Sequence, residues 1–134
     1  MKRVARRLRA LGLSFDILLS SPLERAKATA KIIAKEFKVS RRLNFTAHLA
    51  PEGSIRQLIG LLSRLPTGSE NVLLVGHEPH LSHLAGVLIG GRIARGFKLK
   101  KAGLCQLTVD RLRYGSCAEL EWLLTPEVLV AAGK

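Results

Sequence analysis

Aromatic side chains are nearly missing from this chain: four Phe, one Tyr and one Trp make up 4% of 134 residues. A core must therefore be packed from Leu, Ile, Val and Ala, and the 47% hydrophobic content is enough for one globular domain spanning residues 1–134. Long apolar runs are also lacking. None approaches the ~20 residues of a membrane-spanning helix, and none resembles the apolar centre of a secretion signal. A soluble, cytoplasmic protein without membrane contact is expected. Cysteine is rare: Cys105 and Cys117 stand in strand-like surroundings without the paired short spacing of a zinc site, and read as buried free thiols in a reducing compartment.

Acidic side chains are the third scarcity. Ten Asp and Glu stand against 22 Lys and Arg, a formal charge of +12. The excess is uneven, since residues 1–67 hold 14 basic and 4 acidic side chains while residues 68–134 hold 8 and 6. Such a field steers phosphorylated or acidic partners toward the first half. No aromatic-rich or glycine-arginine motif accompanies it, so nucleic acid is not the expected partner.

What is present centres on Ser20-Ser21-Pro22-Leu23-Glu24-Arg25-Ala26. It comes after the unbroken apolar run Asp16-Ile17-Leu18-Leu19, which reads as a strand buried on both faces of a parallel sheet. Ser20 and Ser21 are placed to cap a helix whose first residue is Pro22. A strand running straight into a helix start offers free N–H groups and a positive dipole end to an anion. Arg25, in the first turn, leans back over the strand end, where a guanidinium can grip a phosphate through two hydrogen bonds. The same residues also suit a plain helix start with a solvated arginine.

The layout recurs once. Asn71-Val72-Leu73-Leu74-Val75 is a second buried strand, succeeded by Gly76-His77-Glu78-Pro79 and a helix with Pro79 at its first position, running to Gly90-Gly91. His77 then emerges at the same sheet edge as Arg25, where open parallel sheets bind ligands. His80, in the first helical turn, is a further candidate for lining that pocket. His77, His80 and His83 are spaced by three, but His77 precedes the helix that carries the other two, so no shared metal geometry and no metal are expected.

The remaining elements frame these two stretches. An amphipathic helix spans Met1 to Leu11 and stops at Gly12, and the helix after Arg25 runs to about Phe37. A short strand at Leu43 to Thr46, a loop carrying His48, and a helix from Ser54 to Leu65 come next. His48 reads as a surface residue. The segment Arg92 to Lys101, with Arg95, Lys98, Lys100 and Lys101, reads as a basic rim. Leu104 to Val109 and Ala118 to Leu124 read as an antiparallel hairpin, and Thr125-Pro126 opens a final helix to Ala132.

Together SSPLERAKATA, VGHEPHLS and KKAGLCQL…ELEWLLTPEVL resemble the histidine phosphatase superfamily, in particular its SixA-type phosphohistidine phosphatases. The resemblance covers essentially the whole chain. It implies an α/β fold, a three-layer αβα sandwich with a mainly parallel sheet, phosphoglycerate mutase-like. It also implies a cofactor-free reaction in which a histidine attacks phosphorus in line, forms a phosphoenzyme and is freed by water. By position, Arg25 matches the phosphate-binding arginine and His77 the second pocket histidine; Ser20 and Ser21 shape the loop, and His80 lines the pocket. The implied partner is a phosphohistidine-containing protein of a phosphorelay in signal transduction, docked by the basic surface, or a small phosphate ester.

One feature of that family is absent. Its first strand ends in Arg-His-Gly, which supplies the nucleophile, and the sequence contains no Arg-His-Gly. None of the four histidines comes after an arginine at a strand end. The resemblance therefore implies a domain with its N-terminal strand missing: either an active phosphatase whose upstream coding sequence supplies that strand, the favoured account, or a shortened relative that binds phosphoryl groups without turning them over. It also implies open sheet edges that favour aggregation or pairing with another chain.

Overall fold

In the computed structural model, which describes residues 1–93, 99 and 104–131, the apolar run after Asp16 forms β1 (Ile17–Ser20) at the centre of a parallel sheet. β1 pairs on one side with β2 (Leu43–Phe45), Leu18 opposite Leu43, and on the other with β3 (Val72–Val75), Leu18 opposite Leu73. Alternation along β1 divides the core. Leu18 packs with Ala5, Ala26, Ala30, Ile33, Leu73 and Val75 on one face, whereas Leu19 packs with Leu49, Leu58, Leu84, Val87 and Leu88 on the other. Each fully buried leucine stabilises the fold by roughly 1.5–3 kcal/mol relative to an exposed one.

The first face is covered by α1 (Lys2–Ala10) and α2 (Glu24–Glu36), the second by α3 (Ile55–Ser63) and α4 (His80–Gly90). The result is the three-layer α/β arrangement the sequence implied. α1 buries Val4, Ala5 and Leu8 and turns Arg3, Arg6 and Arg9 outward while Arg7 is half-buried, and Gly12 leaves it at φ +84°, a conformation that costs glycine little. Both α1 and α2 end at the sheet edge opposite the strand C-termini, where Arg9 and Glu36 form an ion pair at 3.0 Å. The relative alignment of β1 and β3 is set by Asp16. Its Oδ2 accepts from the backbone N–H groups of Glu70 and Asn71 at 2.9 and 2.8 Å, while its own N–H donates to the Asn71 carbonyl.

The expected hairpin is present as β4 (Leu104–Val109) and β5 (Ala118–Leu124), antiparallel, with an irregularity between Gln106 and Leu107. It forms a sheet of its own among the described residues, leaving β3 at the edge of the parallel sheet. The hairpin nonetheless contributes to both cores: Leu104 packs with the α1/α2 side, and Leu107 and Ala118 with the α3/α4 side. Its turn is held against α4 by Cys117 N–H donating to the Leu88 carbonyl and Ser116 Oγ–H to the Ile89 carbonyl, and the Arg56 guanidinium lies 3.9 Å from the Tyr114 ring centroid. Beyond β5 lies α5 (Pro126–Ala131), whose first turn is capped by Thr125 Oγ1 accepting from Val128 N–H.

Both helix starts differ from expectation. α2 begins at Glu24 and not at Pro22, and Leu23 occupies its cap position without a side-chain bond. The reason is that Ser20 and Ser21 are fully buried and bond locally, Ser20 Oγ–H to the Ser21 carbonyl and Leu23 N–H to Ser21 Oγ, so they shape a turn ahead of the helix. Likewise α4 begins at His80, with Pro79 at the cap position after a cis Glu78–Pro79 bond. Arg95, Lys98, Lys100, Lys101 and Ala132 lie outside the described residues, so the basic rim and the last residue expected in the final helix do too. Among the described residues no helix is long and apolar enough to cross a membrane.

Candidate functional site

Three loops leave the C-terminal ends of β1, β2 and β3 side by side, because the strands are parallel and in register: Ser20 lies opposite Phe45 on one side and Val75 on the other. Backbone bonds fasten the loops at once. Thr46 N–H donates to the Ser20 carbonyl and Ser21 N–H to the Val75 carbonyl, each at 2.9 Å. The segments leaving the three strands are therefore brought to one place: Ser21 and Arg25 after β1, His48 after β2, His77 and His80 after β3.

The side chain of Ser21 is the junction. His77 Nε2 and Ser21 Oγ are 2.8 Å apart, while Ser21 Oγ also accepts from Leu23 N–H at 3.2 Å. With its oxygen taken by the Leu23 donor, the Ser21 hydroxyl is free to donate to Nε2, and Nδ1 of His77 then carries the ring proton. The reverse tautomer, with Nε2–H donating to Oγ, is equally compatible with the distance. Either way the ring is held in place at the strand ends while remaining half-buried and open to solvent.

Arg25 is the second residue of α2 and its side chain is exposed. It makes no hydrogen bond or ion pair with the described residues. The first backbone bond onto the start of α2 is donated by Lys27 to the Leu23 carbonyl, so the Glu24, Arg25 and Ala26 N–H groups lie ahead of the bonded ladder at the positive end of the helix. A guanidinium without a partner, orphan N–H donors and an oriented imidazole share one edge, a donor set suited to the oxygens of a phosphoryl group.

His80 has a different place from the one expected of a pocket residue. It is buried, and its Nε2 bonds the backbone carbonyl of His48 at 2.7 Å, tying the β2 loop to the start of α4. His48, expected at the surface, has a half-buried ring, and its carbonyl is the partner of His80. Gly53 makes this possible by passing so close to His48 that an added Cβ would meet its carbonyl oxygen at 2.2 Å. His83 is half-buried on α4. Because His77 and His80 are committed to separate partners, they do not converge on a common ligand, and among the described residues no three His, Cys, Asp or Glu gather as a metal site would require.

Glu78 is a site residue that sequence reasoning misses, and it organises the second junction. Its carboxylate accepts from the Ser82 N–H at 3.0 Å, from the Ser82 hydroxyl, and from the Leu99 N–H at 2.7 Å. A carboxylate just ahead of a helix start, where free N–H groups need acceptors, is the available signal. Its charge also reaches β4: burial first, and then Glu78, pushes the Cys105 thiol up from 9.0 to about 11.

Comparison with known proteins bears on the family and the fold. Residues 1–49 match the model of the histidine phosphatase superfamily, branch 1. An uncharacterized protein of Picosynechococcus sp. is 35% identical over 132 residues, an alignment covering 96% of this chain and 79% of the relative. The chain belongs to the histidine phosphatase superfamily. Its fold is that of the protein histidine phosphatase SixA in complex with tungstate, with a TM-score of 0.80 at 22% identity over 96% of this chain and 80% of that one. It is also that of phosphoglycerate mutase from Plasmodium falciparum, with a TM-score of 0.67 at 20% identity over 90% of this chain and 78% of the mutase.

Proposed function

We propose that the edge carrying Arg25 and His77 binds the phosphoryl group of a phosphohistidine protein in a cytoplasmic phosphorelay, and that the complete site hydrolyses it. The observation that carries this reading is the Ser21–His77 bond, which fixes an imidazole at the strand ends, the sheet edge where α2 begins with Arg25 unpartnered among the described residues. Arg25 holds two phosphoryl oxygens and the N–H groups of α2 a third; His77 donates to the same oxygens and stabilises the charge that grows on them in the transition state. Ser20 and Ser21 hold the loop, and His80 acts through the His48 carbonyl as a positioning residue. No metal or other cofactor is required of this donor set.

The nucleophile is the part the 134 residues do not contain. We place it on a further strand, ending in Arg-His-Gly, that pairs along the open edge of β3 and delivers its histidine to the same sheet edge as His77. Phosphorus is then attacked in line, the bond to the substrate histidine breaks, and water releases phosphate from the phosphoenzyme.

Phosphate release from a phosphohistidine protein and from an aryl phosphate, with vanadate binding measured alongside, tests the reading. In a protein extended by such a strand, turnover is expected and is lost in Arg25→Ala and His77→Ala. In the 134-residue chain, vanadate binding without turnover is expected. Turnover by the 134 residues alone would overturn the assignment of the nucleophile, and a preference for the aryl phosphate would favour a phosphatase of small esters. The missing Arg-His-Gly favours one second reading, a module that binds phosphoryl groups without hydrolysis. Failure of the extended protein to turn over either compound would establish that alternative.

A further inference from the structure

The cations that the pocket does not use are not scattered. Lys2, Arg6 and Arg9 fall on one face of α1 at spacings of four and three, all exposed, and the helix has no acidic residue. α1 packs beside α2, and the Arg9–Glu36 pair joins the two at their C-terminal ends. Just past α2 the chain turns through Lys38, at φ +57°, into a 3₁₀ turn at Ser40–Arg42. There Lys38, Arg41 and Arg42 line an open depression of about 550 Å³ with Val39 and Ser40. The stripe on α1 runs about 10 Å from Lys2 to Arg9 and leads to this depression at the sheet edge opposite the pocket.

Acidic groups neutralise only part of this surface: Glu36 is paired with Arg9 and Glu127 stands on α5 beside α1, while Asp16 is spent on the N–H groups of Glu70 and Asn71 and Glu24 stands at the far end of α2, leaving Lys2, Arg6, Lys38, Arg41 and Arg42 without an ion pair among the described residues. An excess of one charge over such a surface marks a partner of the opposite charge. The two aromatic rings nearest this surface, Phe15 and Phe37, are half-buried against the core and packed on each other with centroids 4.8 Å apart, which leaves little ring face for stacking nucleic-acid bases.

We infer that the exposed face of α1 and the Lys38–Arg42 depression form a docking surface for an acidic protein segment. On the reading that the pocket takes a phosphoprotein, this surface anchors the substrate outside the pocket. It sets affinity and encounter rate for a protein substrate, and leaves the pocket's own hold on a phosphoryl group unchanged.

The test uses the full chain, a fluorescent poly-glutamate peptide, a double-stranded oligonucleotide and vanadate. Peptide binding that weakens as salt rises is expected, with a roughly tenfold loss in Arg6→Glu/Arg41→Glu/Arg42→Glu. Vanadate binding should be the same in that variant, and lost in Arg25→Ala, which in turn should keep the peptide. The milder Arg41→Gln/Arg42→Gln pair, expected to lose part of the affinity, guards against misfolding of the triple variant. Peptide affinity unaffected by either variant would overturn the inference. So would tighter binding of the oligonucleotide through the same residues at equal salt. Failure of vanadate to bind the unaltered chain would count against the pocket alone.

Discussion

The two strand-to-helix junctions begin with the same layout and are stabilised in opposite ways. At the second, after β3, three polar side chains all have partners in the chain: His77 bonds Ser21, His80 bonds the His48 carbonyl, and Glu78 holds Ser82 and Leu99. At the first, after β1, two fully buried serines bond locally and the one charged group meant for the edge, Arg25, is left without a partner among the described residues. Partnered groups build a site and unpartnered ones serve its ligand. The asymmetry lets one junction set the geometry while the other supplies charge.

If the second junction is the support, its disruption should be costly. Gly53→Ala drives a Cβ into the His48 backbone, and should destabilise the chain by on the order of 1–3 kcal/mol, read as a lower urea midpoint. An unchanged midpoint would show that the β2 loop yields freely and that His80 is not held through it. Glu78→Ala removes the acceptor for two backbone N–H groups, and a loss of about 0.5–2 kcal/mol is expected, with Glu78→Gln retaining part of it.

Burial of Cys105 on β4, with the Glu78 charge as a second cause, gives the fold a pH signature. The Cys105 thiol titrates near 11 in the folded chain against an ordinary 9.0, so the neutral thiol is favoured by folding. Its contribution is present in full below pH 9.0 and is lost as pH rises toward about 11, where the folded thiol also ionises. Stability measured across that interval should fall, and the Cys105→Ala variant should lack that component of the fall. The smallest expected effect on stability belongs to the first junction: Arg25→Ala should leave the midpoint within about 0.5 kcal/mol of the parent while abolishing vanadate binding. A large loss of stability there would erase the distinction between the junctions.

Much of this is legible in the residues. Runs such as Ile17–Leu19 and Val72–Val75 announce buried parallel strands because they lack the alternation of a half-exposed one, and apolar spacing with capping serines or threonines locates the helices. The helix starts expected at Pro22 and Pro79 fall two residues and one residue early; at Pro22 the reason is that a serine hydroxyl can bond a turn as readily as a helix, and the choice depends on burial. His48 and Gly53 look like plain loop residues because a backbone carbonyl acting as a partner, or a close approach of two loops, leaves no mark in composition.

By itself, then, the sequence determined the order and type of the elements, the excess of positive charge in the first half, and the edge where Arg25 and His77 emerge. These depend on local periodicity and on residues near in the chain. Only the tertiary structure decided which histidine faces the edge and which is bound inside, and that Ser21 meets His77. It also decided that, among the described residues, the hairpin lies apart from the parallel sheet and β3 has an open edge. Such facts are pairings across tens of residues, and only packing of the layers brings their members together.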